Sequence, residues 1–332
     1  MLKRRDKLSQ RARRAQQFIA GILTKDVAEG TLVGRAYQWR KWRNFAKKES
    51  FNRLPASPYH VSLYLAYICE RSIRKDFGHR PVVEAQQAIR YVHETCELPN
   101  PTTSALAKAV VKFARRHLTK KTKKSRKLTA EILKQMATRF STEKDVGWFM
   151  VFVILTVGFI GFLRWNDITN IYWEQVLFFE THVALFVVKS KTDQMAKGHW
   201  IFLARNGGAM CPHDLLVRLV ERTKVTEGVI PREVQRTKNG CTLTNRPLRY
   251  KRFLELLREA LVMSGYSKKE AKEFGTRCMR VGGASAAAEF GVPDRLFRKH
   301  GRWLTESIKD NYVQEDLEAR LTVSRMLGAE LQ

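Results

Sequence analysis

The chain has 332 residues, 44% of them hydrophobic, which is enough apolar surface for folded cores and excludes wholesale disorder. Sixty-one Lys and Arg against 32 Asp and Glu leave a formal charge of +29. This argues against an ordinary enzyme of small neutral substrates and makes a polyanion the first partner to consider.

The charge is uneven. Residues 1–127 carry 30 basic and 9 acidic side chains, net +21, whereas residues 128–332 carry 31 and 23, net +8. Lysines and arginines set on phosphates release condensed counterions, so the first 127 residues are expected to clamp nucleic acid tightly at low salt. Residues 1–17 read as a basic arm with no apolar stretch behind it of secretory length. Five scattered cysteines without a C-x-x-C pair offer neither a zinc site nor a disulfide framework, and a reducing compartment fits. No metal and no cofactor is expected. The expected location is the nucleus of a eukaryote or otherwise the nucleoid.

From Thr31 to Lys48, Leu32, Ala36, Trp39, Trp42, Phe45 and Ala46 recur at steps of three and four, the pattern of an amphipathic helix. Its other face carries Arg35, Arg40, Lys41, Arg43, Lys47 and Lys48, candidates for phosphate contacts. Ser57-Pro58 reads as an N-cap and N1 proline opening a helix through Val61, Leu65, Ile68 and Ile73. Two more helices are predicted over 81–93 and 103–117, making residues 18–118 an all-α module.

The stretch 118–128, LTKKTKKSRKL, has six basic residues, Lys120, Lys121, Lys123, Lys124, Arg126 and Lys127, and no apolar periodicity. It reads as a linker over 119–128, able to cross a DNA backbone. Helices over 129–140 and 145–163 come next. The second contains the apolar run WFMVFVILTVGFIGFL, whose 16 residues fall short of the roughly 18–20 that cross a bilayer, so a buried core helix is expected and no membrane. Residues 176–179, 183–188 and 200–203 are β-branched and aromatic and predict a small antiparallel sheet. Helices resume over 213–223, 248–265, 280–290 and 294–300, and a last helical segment carries Leu317, Leu321, Leu327 and Leu331. The expected fold is an α-helical N-terminal domain followed by an α+β catalytic domain, mostly helical with a small antiparallel sheet, over 129–332.

Neither a P-loop, a Rossmann fingerprint nor an H-E-x-x-H motif is present, so nucleotide hydrolysis and metal-assisted cleavage lack their usual parts. Basic chemistry stands in four places. Arg164 follows the apolar helix, with Asp167 three residues on to orient it. Lys189 and Lys191 lie in a turn after a strand. Arg277 and Arg280 stand three apart beside Gly282, Gly283 and Ala284. Gly301-Arg302-Trp303 follows a helix end at Lys299-His300, and Tyr312 comes nine residues after Trp303.

These four segments, in this order and spacing, resemble the tyrosine recombinase (phage integrase) family. The resemblance is carried by Arg280-Val281-Gly282, Gly301-Arg302-Trp303, the 23-residue step between Arg280 and Trp303, and Tyr312. The wording is similar to that of eukaryotic mobile-element, crypton-like members. It implies Arg164 and Arg280 as the family's two arginines, Asp167 as a supporting acid and Lys191 as the hairpin lysine. Trp303 takes the position held by His or Trp, and Tyr312 is the nucleophile. The family's H-x-x-R reads Arg277-Cys278-Met279-Arg280, and a guanidinium cannot take the proton a histidine would. The resemblance further implies double-stranded DNA as partner and a covalent 3′-phosphotyrosyl intermediate without metal or ATP. It also implies a homodimer on one site and a homotetramer in the synaptic complex. Two alternatives stay open: a catalytically dead, domesticated DNA-binding protein and a type IB topoisomerase-like activity.

Overall fold

The computed structural model describes residues 29–120, 125–188, 198–237 and 240–303, together with residues 9–11, 14, 18, 305, 309, 310, 313 and 321. The chain divides into two compact units, residues 1–123 and 124–332.

Among residues 29–120, four α-helices build the first unit: α1 (Glu29–Lys48), α2 (Pro58–Arg74), α3 (Arg80–Thr95) and α4 (Ala105–His117). α1 buries Trp42 and Ala46 completely, and α2 adds Val61, Tyr64 and Leu65. α1 packs mainly on α3, and α2 on α4. Pro58 sits in the first turn of α2 as expected, but the Ser57 side chain makes no cap bond, and Ile73 is 53% exposed rather than part of the apolar stripe. α4 begins at a true cap, the Ser104 hydroxyl accepting the Ala107 N–H at 3.2 Å, worth about 1 kcal/mol. His93 lies at the centre of this unit, fully buried. Its Nε2 accepts the Ala56 N–H at 2.9 Å, so Nδ1 carries the proton and donates to Ile89 O at 2.8 Å. Burial lowers its pKa.

The second unit begins before its first helix. Leu128 is fully buried, and the backbone N–H groups of Arg126 and Leu128 donate to Glu273 O and Cys278 O, so residues 125–128 run bonded along this unit. α5 (Ala130–Phe140) is capped by Thr129, and α6 (Val146–Ile160) by Asp145, whose carboxylate accepts the Gly147 and Trp148 N–H groups at 2.8 and 3.1 Å. Every residue of α6 except Trp148 and Ile160 is buried. No helix among the described residues is long and apolar enough to cross a membrane.

α6 is the axis around which this unit packs. Against it lie α5, α8 (Pro212–Thr223), α9 (Tyr250–Met263) and α11 (Cys278–Glu289). Two single-turn helices, α7 (Trp165–Ile168) and α10 (Lys268–Ala271), and α12 (Asp294–Gly301) complete the helical set among the described residues. Strands β1 (Val176–Phe178), β2 (His182–Val187) and β3 (His199–Ala204) form an antiparallel sheet in that order, with Leu185 opposite both Val176 and Ile201. Its inner face buries Val183, Leu185, Val187, Ile201 and Leu203. A second hairpin, β4 (Arg232–Thr237) with β5 (Gly240–Pro247), was not expected from the sequence pattern, although Asn239-Gly240 is the dipeptide that most strongly signals a tight hairpin.

The contact between α6 and α11 is unusually close. A Cβ on Gly282 would strike Leu128 O, and one on Gly283 would strike Phe159 O. Glycine at 283 therefore lets the two helices close to backbone contact, and glycine at 282 lets the segment before α5 lie against α11, which brings the start of α11 under the loop that leaves α6.

Candidate active site

α6 ends with carbonyls that lack helical partners. The chain turns at Phe162, whose φ is +48°, and the next turn opens at Arg164. There the Arg164 N–H donates to Asp167 Oδ2 at 3.1 Å while the Asp167 N–H returns to Arg164 O at 2.9 Å, so the acid locks the single turn of α7. Trp165 anchors that turn, stacked on Phe253 of α9 with centroids 4.1 Å apart. Asp167 is fully buried, with Arg164 Nη1 3.9 Å away.

Arg280, one turn into α11, is also fully buried. Its Nη1 donates to Phe162 O at 2.5 Å and its Nη2 to Gly301 O at 2.6 Å, while its Cζ lies 4.6 Å from the Trp303 ring. Trp303 is 5% exposed and packs with Phe162, Ala284 and Phe297 in a small apolar cluster. Arg277 stands at the N-terminal edge of α11 and is exposed, so the two arginines three residues apart meet opposite environments: the helix end reaches solvent and the next turn lies under the loop.

Two further groups complete the arrangement; the sequence pattern set both beside Trp303 but assigned neither a role. Arg302 Nη2 lies 3.3 Å from Asp167 Oδ2 and 3.1 Å from Phe162 O, and its Nη1 donates to Gly161 O and His300 O at 3.2 and 3.0 Å. Burial lowers the Arg302 pKa, opposed by the Asp167 carboxylate and reinforced by Arg164. His300 Nε2 donates to Ile160 O at 2.7 Å, and burial, with Arg302 and Arg280 nearby, lowers its pKa, favouring the neutral ring. The signal for Arg302 was indirect: a carboxylate directly after a wholly apolar helix demands a buried cation, and the sequence offered Arg164 for it. The left-handed turn falls on Arg302 (φ +56°), not on Gly301, whose Cβ would instead run into the Trp303 ring.

The end of α6 is thus capped by side chains. The carbonyls of residues 160, 161 and 162 accept from the His300 ring N–H and from the Arg302 and Arg280 guanidiniums, and the two cations suit the negative end of a helix. Among the described residues, two guanidiniums, Arg164 and Arg302, approach one buried carboxylate, Asp167, and a third, Arg280, shares the Phe162 carbonyl with Arg302. Such a cluster carries excess positive charge in a partly desolvated place and favours an anion.

Lys189, Lys191 and Tyr312 lie outside the described residues. Val313, the residue after Tyr312, packs against the Phe162, Ala284, Phe297 and Trp303 cluster. Lys309 pairs with Asp294 at the start of α12. No group of His, Cys, Asp and Glu among the described residues could hold a metal ion.

In the first unit, Arg40, Lys41, Arg43, Lys47 and Lys48 are exposed on α1, while Arg35 is half-buried with its guanidinium 4.2 Å from the Tyr91 ring. Lys120 pairs with Asp76. Arg126 and Lys127, in the second unit, pair with Glu270 at 3.5 Å and Glu289 at 2.9 Å, and Lys121, Lys123 and Lys124 lie outside the described residues. The basic face of α4 was not expected: Lys108, Lys112, Arg115 and Arg116 line one exposed groove without an acidic residue. Their spacing of three and four is the signal that could have found them.

No protein-family model matches the chain. An integrase/recombinase xerD homolog of Selenomonas ruminantium is 21% identical over 294 residues, spanning 88% of this chain and 84% of the relative. Among solved structures, a lambda integrase dimer bound to a COC′ core site has a TM-score of 0.55 at 13% identity, covering 90% of this chain and 94% of that one. The Tn1549 transposon integrase in complex with transposon right-end DNA has a TM-score of 0.56 at 11% identity, covering 91% and 95%. XerH recombinase bound to palindromic difH substrate has 0.54 at 10%, covering 85% and 75%. These likenesses show the fold.

Proposed function

We propose that this chain, which belongs to the tyrosine recombinase family, cleaves and rejoins DNA at specific sites, in the integration or excision of a mobile element. The observation that carries this reading is the cluster at the end of α6, where Arg164 and Arg302 approach the buried Asp167 carboxylate and Arg280 joins Arg302 on the Phe162 carbonyl, so that distant stretches of the chain bring three guanidiniums together.

Cleaving a phosphodiester concentrates charge on the non-bridging oxygens of a five-coordinate phosphorus, and pre-set cations lower that barrier. Arg164, Arg277 and Arg280 supply the positive field, Arg280 from a fully buried position. The Trp303 indole N–H donates to a phosphate oxygen. Tyr312 attacks phosphorus: its phenolic oxygen forms the new P–O bond as the bond to the 5′ oxygen breaks. The phenol, with an ordinary pKa of about 10, loses its proton to water beside the cations. Arg277 holds an oxygen and takes no proton. Lys191 protonates the departing 5′ oxygen. The bond energy stays in the 3′-phosphotyrosine, so attack by a 5′ hydroxyl of another strand reseals without ATP. Val313 against the Trp303 cluster supports a nucleophile drawn from the same subunit.

In the first unit, the exposed cations of α1 and α4 contact phosphates. A homodimer on one site and a homotetramer in the synapse belong to the same reading. In their support, an apolar groove of about 510 Å³ beside α12, walled by Trp200, Phe202, Phe290 and Leu296, matches the leucine-rich segment from Leu317 to Leu331.

Tyr312→Phe tests the chemistry: on a nicked suicide duplex it is expected to abolish covalent trapping and leave DNA binding intact. Persistent trapping by this variant overturns the assignment. A second reading, a binding protein without strand transfer, is favoured by the full burial of Arg280 and by arginine at position 277. Salt-dependent binding with no covalent product from any substrate would select it.

A further inference from the structure

We infer that Arg302 is a positioning residue of this site: it takes the nearer share of the Asp167 charge and so sets where the Arg164 guanidinium stands toward the phosphate. The inference rests on the proposed strand transfer. Asp167 is buried, and a buried carboxylate draws in whatever cation can reach it. Two can. Arg302 is the nearer, at 3.3 Å against 3.9 Å for Arg164, and both approach the same oxygen, Oδ2.

Arg302 is built for the task. Its side chain is 5% exposed, and its planar fork bonds at once to Gly161 O, Phe162 O, His300 O and Asp167. It therefore ties three stretches of chain together: the loop after α6, the turn that carries Arg164, and the end of α12 that leads to Trp303. A lysine ammonium is a compact point charge and cannot span these acceptors. The backbone supports the same conclusion. Arg302 holds φ at +56°, a region that disfavours side chains and usually falls to glycine or asparagine at a helix end. A glycine stands immediately before it and does not take that conformation, so the turn keeps a strained arginine at the point from which its fork reaches under the loop.

Without this fork, Arg164 becomes the nearest cation to Asp167 and turns inward, away from the substrate. The test compares Arg302→Lys with the full-length parent on a nicked random-sequence duplex library. DNA retention and its salt slope are expected to match the parent, because lysine keeps the positive charge at this position. Covalent adduct should form about 10²-fold more slowly, the cost of a displacement near 1 Å at a reacting centre. Amide exchange should quicken over residues 161–168 and stay unchanged in α9, which controls for general unfolding. Adding Asp167→Asn to Arg302→Lys keeps an acceptor for the Arg164 N–H, removes the competing charge and should restore part of the rate; loss of packing alone would be made worse by it. An unchanged adduct rate in Arg302→Lys, or a further fall in the double variant, overturns the inference. If the parent itself forms no adduct, the strand-transfer reading fails, and unchanged exchange over 161–168 overturns the tie independently.

Discussion

Replacing Arg280 and Arg277 with methionine separately should split stability from chemistry. Arg280 makes two short hydrogen bonds to carbonyls and lies over the Trp303 ring at 4.6 Å. In Arg280→Met, Phe162 O keeps Arg302 as a donor, whereas Gly301 O loses the partner described for it. A buried acceptor left without a partner costs about 1–3 kcal/mol. The lost cation–π contact is worth about 2 kcal/mol when desolvated, of which a methionine sulfur against the same ring returns about 0.3–1.5 kcal/mol. Relief of repulsion among three guanidiniums offsets part of the remainder. The net expectation is a loss of about 2 kcal/mol, or about 4–8 °C in Tm for a unit of this size. Arg277 is exposed, so Arg277→Met should shift stability by less than about 0.5 kcal/mol while slowing adduct formation. Thermal unfolding read alongside a denaturing-gel assay of covalent adduct separates the two effects. If Arg280→Met melts like the parent, the buried network does not hold the site together and the packing argument is refuted.

The same geometry sets two other outcomes. Burial lowers the pKa of both His93 and His300, so the folded chain favours their neutral rings. The unfolded chain binds these protons first, near pH 6.5, so stability should be full above that pH and fall below it, levelling off beneath the lowered folded-state values. Melting curves between pH 5 and 8 check this, and His93→Gln should flatten the first unit's share. Gly283→Ala places a methyl group against Phe159 O and forces α6 and α11 apart; overpacking of this kind costs about 1–3 kcal/mol. A lowered Tm with an equally slowed adduct rate is expected, and a variant that melts and reacts like the parent would show that the helix contact does not set the site.

Much of the architecture is carried by local pattern. Trp42 and Ala46 sit at helical spacing and are buried accordingly, and the β-branched stretches around Leu185 and Ile201 pair as an antiparallel sheet. The apolar run through Phe152 became the buried axis of the second unit, because a helix apolar on every side has no face to give to water. The second hairpin escaped notice because β4 and β5 are largely polar, and alternation is a weak signal where few residues are buried.

The candidate site divides along the same line. Sequence alone determined the candidate residue types and their order along the chain, since motif spacing is a local property of helices and turns. Only tertiary structure decided that Arg280 is buried and Arg277 exposed, and that Arg302 shares Asp167 with Arg164. Those facts depend on which carbonyls end α6 and how closely α11 approaches it. Such contacts join residues more than a hundred positions apart, where a side chain's environment is set by packing and not by its neighbours in sequence.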